Sequence, residues 1–125
     1  MAIFNNTTFR LLQQGLDGVW RKQQVISQNI ANADTPGYKA KTVNFKTVLS
    51  QETKNIKDKT MSKVKPELNL VTTVSVEKGT NQTFDENNVD TEKEHIALAD
   101  AQIQYSLLVN KISNEFDMIK TAIMR

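Results

Sequence analysis

From Phe9 onward, Phe9, Leu12, Leu16, Val19, Gln23, Ile26, Ile30 and Ala33 recur at alternating intervals of 3 and 4, the heptad seam of a helix that lies along another helix. Gln23 is the one polar seam position, and a single polar seam residue fixes register at some cost in stability. A residue before proline is driven out of the α region, so Thr35-Pro36 ends this helix, and Pro36-Gly37 suits a tight turn. The pattern predicts an N-terminal helix over 8–34, regular to about Ala33. Gly15 and Gly18 lie off the seam, where each costs about 1 kcal/mol relative to Ala, so they mark either close approach by another helix or a tolerated defect.

A second helix is predicted over 91–124. Thr91-Glu92-Lys93-Glu94 reads as a capping box, with Glu94 reaching back to the Thr91 amide. One apolar stripe runs through Leu98, Ala101, Tyr105, Leu108, Ile112, Ile119 and Ala122, and a flanking stripe through Ile96, Ile103, Val109, Phe116 and Ile123. One partner helix cannot cover both. A helix apolar around so much of its circumference is buried by several neighbours, and the chain supplies one other long helix, so further subunits are the natural source.

The stretch between, 35–90, reads as a linker or variable middle. Residues 46–84 hold 11 apolar side chains in 39 positions, against 17 in 34 for residues 91–124, too few to order the segment alone. Within it only Val71-Thr72-Thr73-Val74-Ser75-Val76 looks like a strand, being β-branched at five of six places. The expected architecture is a single domain over 1–125, mainly α. Its two long terminal helices form an antiparallel coiled-coil hairpin, and its middle is poorly ordered or short β.

Composition then narrows the function. With 125 residues and no apolar run near the roughly 20 that span a bilayer, neither a large enzyme core nor an integral membrane protein is expected. The start Met1-Ala2-Ile3-Phe4-Asn5-Asn6-Thr7 has neither the positive region nor the apolar run of a cleavable secretory signal. The absence of cysteine removes disulfides, thiolate metal sites and Cys nucleophiles. Net charge is only +2, but it is unevenly spread: residues 1–45 carry 5 basic and 2 acidic groups, and residues 85–125 carry 4 and 8. In an antiparallel hairpin this sets the basic exit of the first helix (Lys39, Lys41) beside the acidic start of the second (Asp85, Glu86, Asp90, Glu92, Glu94).

Candidate chemistry is sparse. His95 is the sole histidine, it falls inside the second helix, and there is no Gly-rich phosphate loop or strand-to-helix elbow carrying a serine. Glu92-x-x-His95 has the spacing of a half-site of four-helix di-iron proteins, but such a site needs the motif twice and carboxylates from two further helices, where the first helix offers only Asp17. Lys54, Lys57, Lys59, Lys63 and Lys65 have no interleaved aromatics and include Asp58 among them, a solvated surface rather than a nucleic-acid site. The heptads by themselves also suit a cytoplasmic coiled-coil adaptor or export chaperone.

At Asn29-Ile30-Ala31-Asn32-Ala33-Asp34-Thr35-Pro36-Gly37-Tyr38-Lys39-Ala40 the chain closely resembles the N-terminal signature of the bacterial flagellar rod protein family. The resemblance continues through Phe45 and Leu49, and resumes at Asn87-Asn88-Val89-Asp90, Glu94 and Tyr105. It departs where Glu86 replaces the glycine usual after Asp85, and where Asn44 and Lys46 flank Phe45 in place of acidic residues. A side chain at 86 argues against positive φ there, and Asn87 or Asn88 is able to take the left-handed conformation instead.

The resemblance implies a non-catalytic structural subunit of the basal-body rod, with no cofactor. Such a subunit lies in the periplasmic space and is exported without a cleaved signal by the flagellar type III apparatus. The implied partners are other rod proteins, a FliE-type adaptor at the membrane ring and further copies of the chain, with no nucleic acid and no lipid insertion. On this reading Leu12, Leu16, Val19, Ile26, Ile30, Leu98, Tyr105, Leu108 and Ile112 hold the helices together. Ile103, Val109, Phe116 and Ile123 face neighbouring subunits, and Asn29, Asn32, Asp34, Pro36, Gly37 and Tyr38 set the exit from the first helix.

Overall fold

A computed structural model describes residues 7–50, 67–78, 84 and 86–124. Four elements follow in order: α1 (Thr7–Ala31), β1 (Lys41–Ser50), β2 (Glu67–Val76) and α2 (Thr91–Ile123). The expected mainly α fold, with a long helix at each end, is what the chain adopts; the middle contributes a two-stranded antiparallel sheet. The Lys-rich stretch 54–65 lies outside the described residues.

The two helices run antiparallel. Phe9 meets Phe116 edge-on with ring centroids 5.1 Å apart, Leu108 lies over Gly15, and Asn29 reaches Glu94, so α2 descends as α1 rises. Their shared core is Val19, Ile26 and Ala101, with Ile30, Ala97, Leu98, Tyr105 and Leu108 against it. Ala101 is fully enclosed, which is what a small side chain at the contact permits. Leu12, Leu16 and Ile112 are half-buried.

α2 begins one residue earlier than a capping box would set it. Asp90, at φ −97° and ψ 103°, is the N-cap and accepts from the Lys93 amide at 3.3 Å, while Glu92 and Glu94 place acid in the first turn and Lys120 a base in the last. Glu94 does not reach back to Thr91; its carboxylate accepts from Asn29 of α1. The Met124 amide closes the far end on the Lys120 carbonyl.

The strand foreseen at 71–76 is the second half of β2, and it pairs with β1, which was not foreseen. The register runs from Lys41 opposite Val76 to Ser50 opposite Glu67. Phe45 and Thr72 are partners on the face toward α1, with Val43 and Val74 beside them, while Asn44 and Ser75 share a 3.1 Å hydrogen bond on the other face. Gln14 of α1 pins the sheet down: its carbonyl accepts the Leu70 amide at 2.9 Å, and its own amide donates to Asn69. The hairpin thus takes its apolar contact from α1, and the poor composition of the middle does not forbid order.

The close approach at Gly18 comes from this hairpin rather than from a helix. A Cβ at Gly18 would stand 2.9 Å from the Thr72 hydroxyl and deep within contact distance of the Phe45 ring, whereas one at Gly15 would meet only Leu108 and Leu70 at ordinary distances of 3.7 Å or more. Gly18→Ala is therefore expected to destabilise the chain by about 1–3 kcal/mol through overpacking. Gly15→Ala should stabilise it by up to about 1 kcal/mol through helix propensity. Urea unfolding of both variants checks the contrast; shifts of the same sign, or no shift at Gly18, would contradict the packing.

Candidate functional site

The most organised polar region is the junction where α1 ends, the hairpin opens and α2 starts. Three asparagines are buried in it: Asn29, Asn87 and Asn88. A buried primary amide offers two donors and two acceptor lone pairs, and each one left unmatched costs about 1–3 kcal/mol. Asn29 fills all four. Its amide donates to the Lys41 carbonyl at 2.8 Å and to Glu94 Oε2 at 3.2 Å, and its carbonyl accepts from the Lys41 amide at 3.0 Å and the Tyr38 hydroxyl at 3.1 Å. One side chain thereby joins α1, the turn, β1 and α2.

Asn87 finishes α1 from outside. A helix leaves its last carbonyls without partners, and here the Asn87 amide donates to the carbonyls of Asn32, Ala33 and Thr35 at 2.8–2.9 Å while its own carbonyl accepts from the Val89 amide. This is why α1 gives way to turns after Ala31 without stranding polar groups. Asn88 closes the open end of the hairpin. The Glu77 amide donates to the Ala40 carbonyl, and the reciprocal bond is replaced by Asn88, whose carbonyl takes the Ala40 amide at 2.6 Å and whose amide donates to the Glu77 carbonyl at 3.2 Å.

The turn itself is set locally. Asn32 donates to the Gln28 carbonyl and accepts from the Thr35 hydroxyl, and Gly37 takes φ +72°, a conformation costly for any residue with a Cβ. Asp34 and Pro36 are exposed. Contrary to the expectation from its side chain, Glu86 itself adopts positive φ, at +61°. Asn87 and Asn88 are committed to the bonds above and are not the left-handed residues. Lys39 answers the acidic side through the Glu86 backbone carbonyl.

Burial pushes the Glu94 carboxyl above its ordinary value; the Asn29 hydrogen bond and Lys93 oppose this, and the Glu77 and Asp90 charges add to it. Burial likewise raises the Tyr38 hydroxyl, with the Glu94 charge contributing.

Outside the junction, the candidate neighbour-facing residues Ile103, Val109, Phe116 and Ile123 are exposed, with Phe116 also touching Phe9. Ile96, Leu107 and Met118 are exposed on α2 as well, and Trp20 on α1. Among the described residues no group of His, Asp or Glu could hold a metal, and no helix is long and apolar enough to cross a membrane. Glu92 and His95 are both exposed on α2.

Residues 20–39 match the family model for flagella basal body rod proteins. Over almost its whole length, 98% of this chain and 97% of the relative, the sequence is 35% identical to the flagellar basal body rod protein FlgB of Bacillus subtilis (strain 168). The chain belongs to the FlgB family of flagellar basal body rod proteins. FlgB of Buchnera aphidicola subsp. Acyrthosiphon pisum is 36% identical across 88% of this chain and 89% of its own, and FlgB of Escherichia coli (strain K12) is 28% identical across 88% of each. The segment 20–39 carries Asn29, Asn32 and Tyr38, the α1 side of the junction. The other side, Asn87, Asn88 and Glu94, was visible in sequence only as resemblance. No periodicity marks loop asparagines, so their bonding to α1 and the hairpin was not foreseen.

The junction sets three outcomes. Asn29→Leu removes the partners of both Lys41 backbone groups and should cost about 2–5 kcal/mol, whereas Glu86→Gly should gain about 1–2 kcal/mol by relieving the left-handed strain; denaturant titration of the purified chain measures both. Because folding raises the Glu94 pKa, the native state holds that proton more tightly than the unfolded chain. Its contribution is complete below the ordinary carboxyl value and declines as pH rises through the raised one. Glu94→Gln keeps an acceptor for Asn29 and should flatten this part of the stability-against-pH curve; an unchanged slope would show that Glu94 does not titrate in the junction.

Proposed function

We propose that this chain is a structural subunit of the flagellar basal-body rod, acting by assembly and not by catalysis. The observation that carries the reading is the whole-length FlgB similarity on a fold whose long C-terminal helix keeps Ile96, Ile103, Leu107 and Met118 exposed. Exposed apolar side chains recurring along a helix are an interaction surface. Heterologous contacts that do not close build filaments, which is the geometry a rod requires.

In this role the terminal helices of adjoining subunits lie side by side in a tube. The junction fixes the helix pair relative to the hairpin so that every copy presents the same outer surface. The subunit reaches the periplasmic space through the flagellar type III export apparatus without loss of a signal peptide, and it meets a FliE-type adaptor at the membrane ring and other rod proteins beyond. The family resemblance supports this route.

Mass spectrometry of purified basal bodies, paired with electron cryo-tomography of a deletion strain, tests the proposal. The expected result is the chain within the particles and membrane rings lacking a rod in its absence. A chain found only in the cytosol, with rods intact in the deletion strain, would instead indicate a cytoplasmic adaptor.

A further inference from the structure

α1 and α2 each keep one face free of the other helix and of the hairpin, and the two faces differ in kind. On α1 the exposed positions Gln13, Asp17, Trp20, Gln24, Ser27 and Ala31 recur at intervals of 3 and 4, and all but one are polar or small. Trp20, the single tryptophan of the chain, stands out from this stripe 53% exposed. On α2 a depression of about 360 Å³ is lined by Ala99, Gln102, Ile103, Ser106 and Leu107. Ala99 and Ser106 are the small residues of its lining, and Ile103 and Leu107, one turn apart and 60% and 63% exposed, form an apolar ridge along one side of it. One face offers a knob and the other a hole.

Charge and register agree. Exposed Arg21 adjoins Trp20 on α1, and exposed Glu92 and Asp100 against Lys93 give the half of α2 that holds the depression an acidic balance. The meetings of Phe9 with Phe116, Gly15 with Leu108 and Asn29 with Glu94 place Trp20 at the height of Ile103. When two copies stand side by side with their axes aligned, α1 of one runs antiparallel to α2 of the next in that same register. Trp20 of the first then sits level with the hole of the second, and exposed Arg21 lies within one helical turn of exposed Asp100. Tryptophan and arginine are among the residues most enriched in interface hot spots.

We propose that Trp20 of one copy docks into the Ala99–Leu107 groove of a second copy of this chain, with Arg21 facing Asp100. The contact rests on the rod-subunit reading and deepens it. It is heterologous, joining two different faces, so each copy keeps one of each free and the contact propagates.

The chain has no cysteine, which makes cross-linking clean. Two populations are co-expressed, one with Gln24→Cys and one with Ala99→Cys, and basal bodies are oxidised mildly. The expected product is a cross-linked pair only when both variants are present. It should be lost when Arg21→Glu is added to the first population and regained when Asp100→Arg is added to the second. Both variants present in basal bodies without a cross-link, self-pairing of either variant, or a cross-link from either to a different rod protein would overturn the proposal. Absence of the chain from basal bodies would overturn the rod reading instead. In that case the tryptophan fluorescence of the purified chain decides the docking: association should shift emission to shorter wavelength and Trp20→Ala should weaken it. Emission unchanged on association, or no association at all, would refute the contact.

Discussion

Three primary amides buried at one point constrain everything else in this molecule. Asn29, Asn87 and Asn88 have almost no contact with solvent, and a polar group so placed is tolerable only when its partners are held at hydrogen-bond distance. Those partners belong to the end of α1, the turn after it, the first residues of the hairpin and the first turn of α2. The junction therefore forms as a unit. Moving one element strands donors or acceptors on the others, and such networks specify a single arrangement more strongly than apolar contact does.

Away from the junction, packing takes over. Val19, Ile26 and Ala101 join the helices, and Gly18 lets Phe45 and Thr72 settle directly on α1 with Gln14 holding the β2 backbone. The hairpin covers one side of α1 and α2 covers another, and the outward side of each helix is left to solvent. Ile96, Ile103, Leu107 and Met118 leave α2 with an apolar face open to water, the kind of surface that interaction sites use. These uncovered faces are the surfaces on which the proposed rod role rests.

The helices were legible because their signal is periodic: the 3–4 spacing from Phe9 to Ala33 and the stripe from Leu98 to Ala122 each describe one face of a helix. β2 was half legible through its β-branched run, and β1 was missed although Val43 and Phe45 alternate with Thr42, Asn44 and Lys46. Its apolar side chains are few because α1 supplies the other half of the contact, a debt that a count along the strand cannot register. The start of α2 at Thr91 was legible but its cap was not, because Thr91 and Asp90 are both good caps, and Glu94, which would have completed the box, bonds to Asn29 over 65 positions of chain. Gly37 announced its turn, whereas Glu86 concealed one, since positive φ at a glutamate is set by the tertiary bonds around it and not by its own preference.

The central claim is that side-chain amides, and not sheet or helix ladders, hold the hairpin base and the start of α2 to α1. Native-state hydrogen exchange of the backbone amides of Ala40, Lys41 and Val89 tests it most directly, because each donates to the carbonyl of Asn88, Asn29 or Asn87. Protection of all three equal to that of central α1 amides, collapsing together in Asn29→Leu, is the expected result. Exchange of these amides at loop rates, or loss of protection at Lys41 alone in that variant, would contradict a junction that forms as one unit.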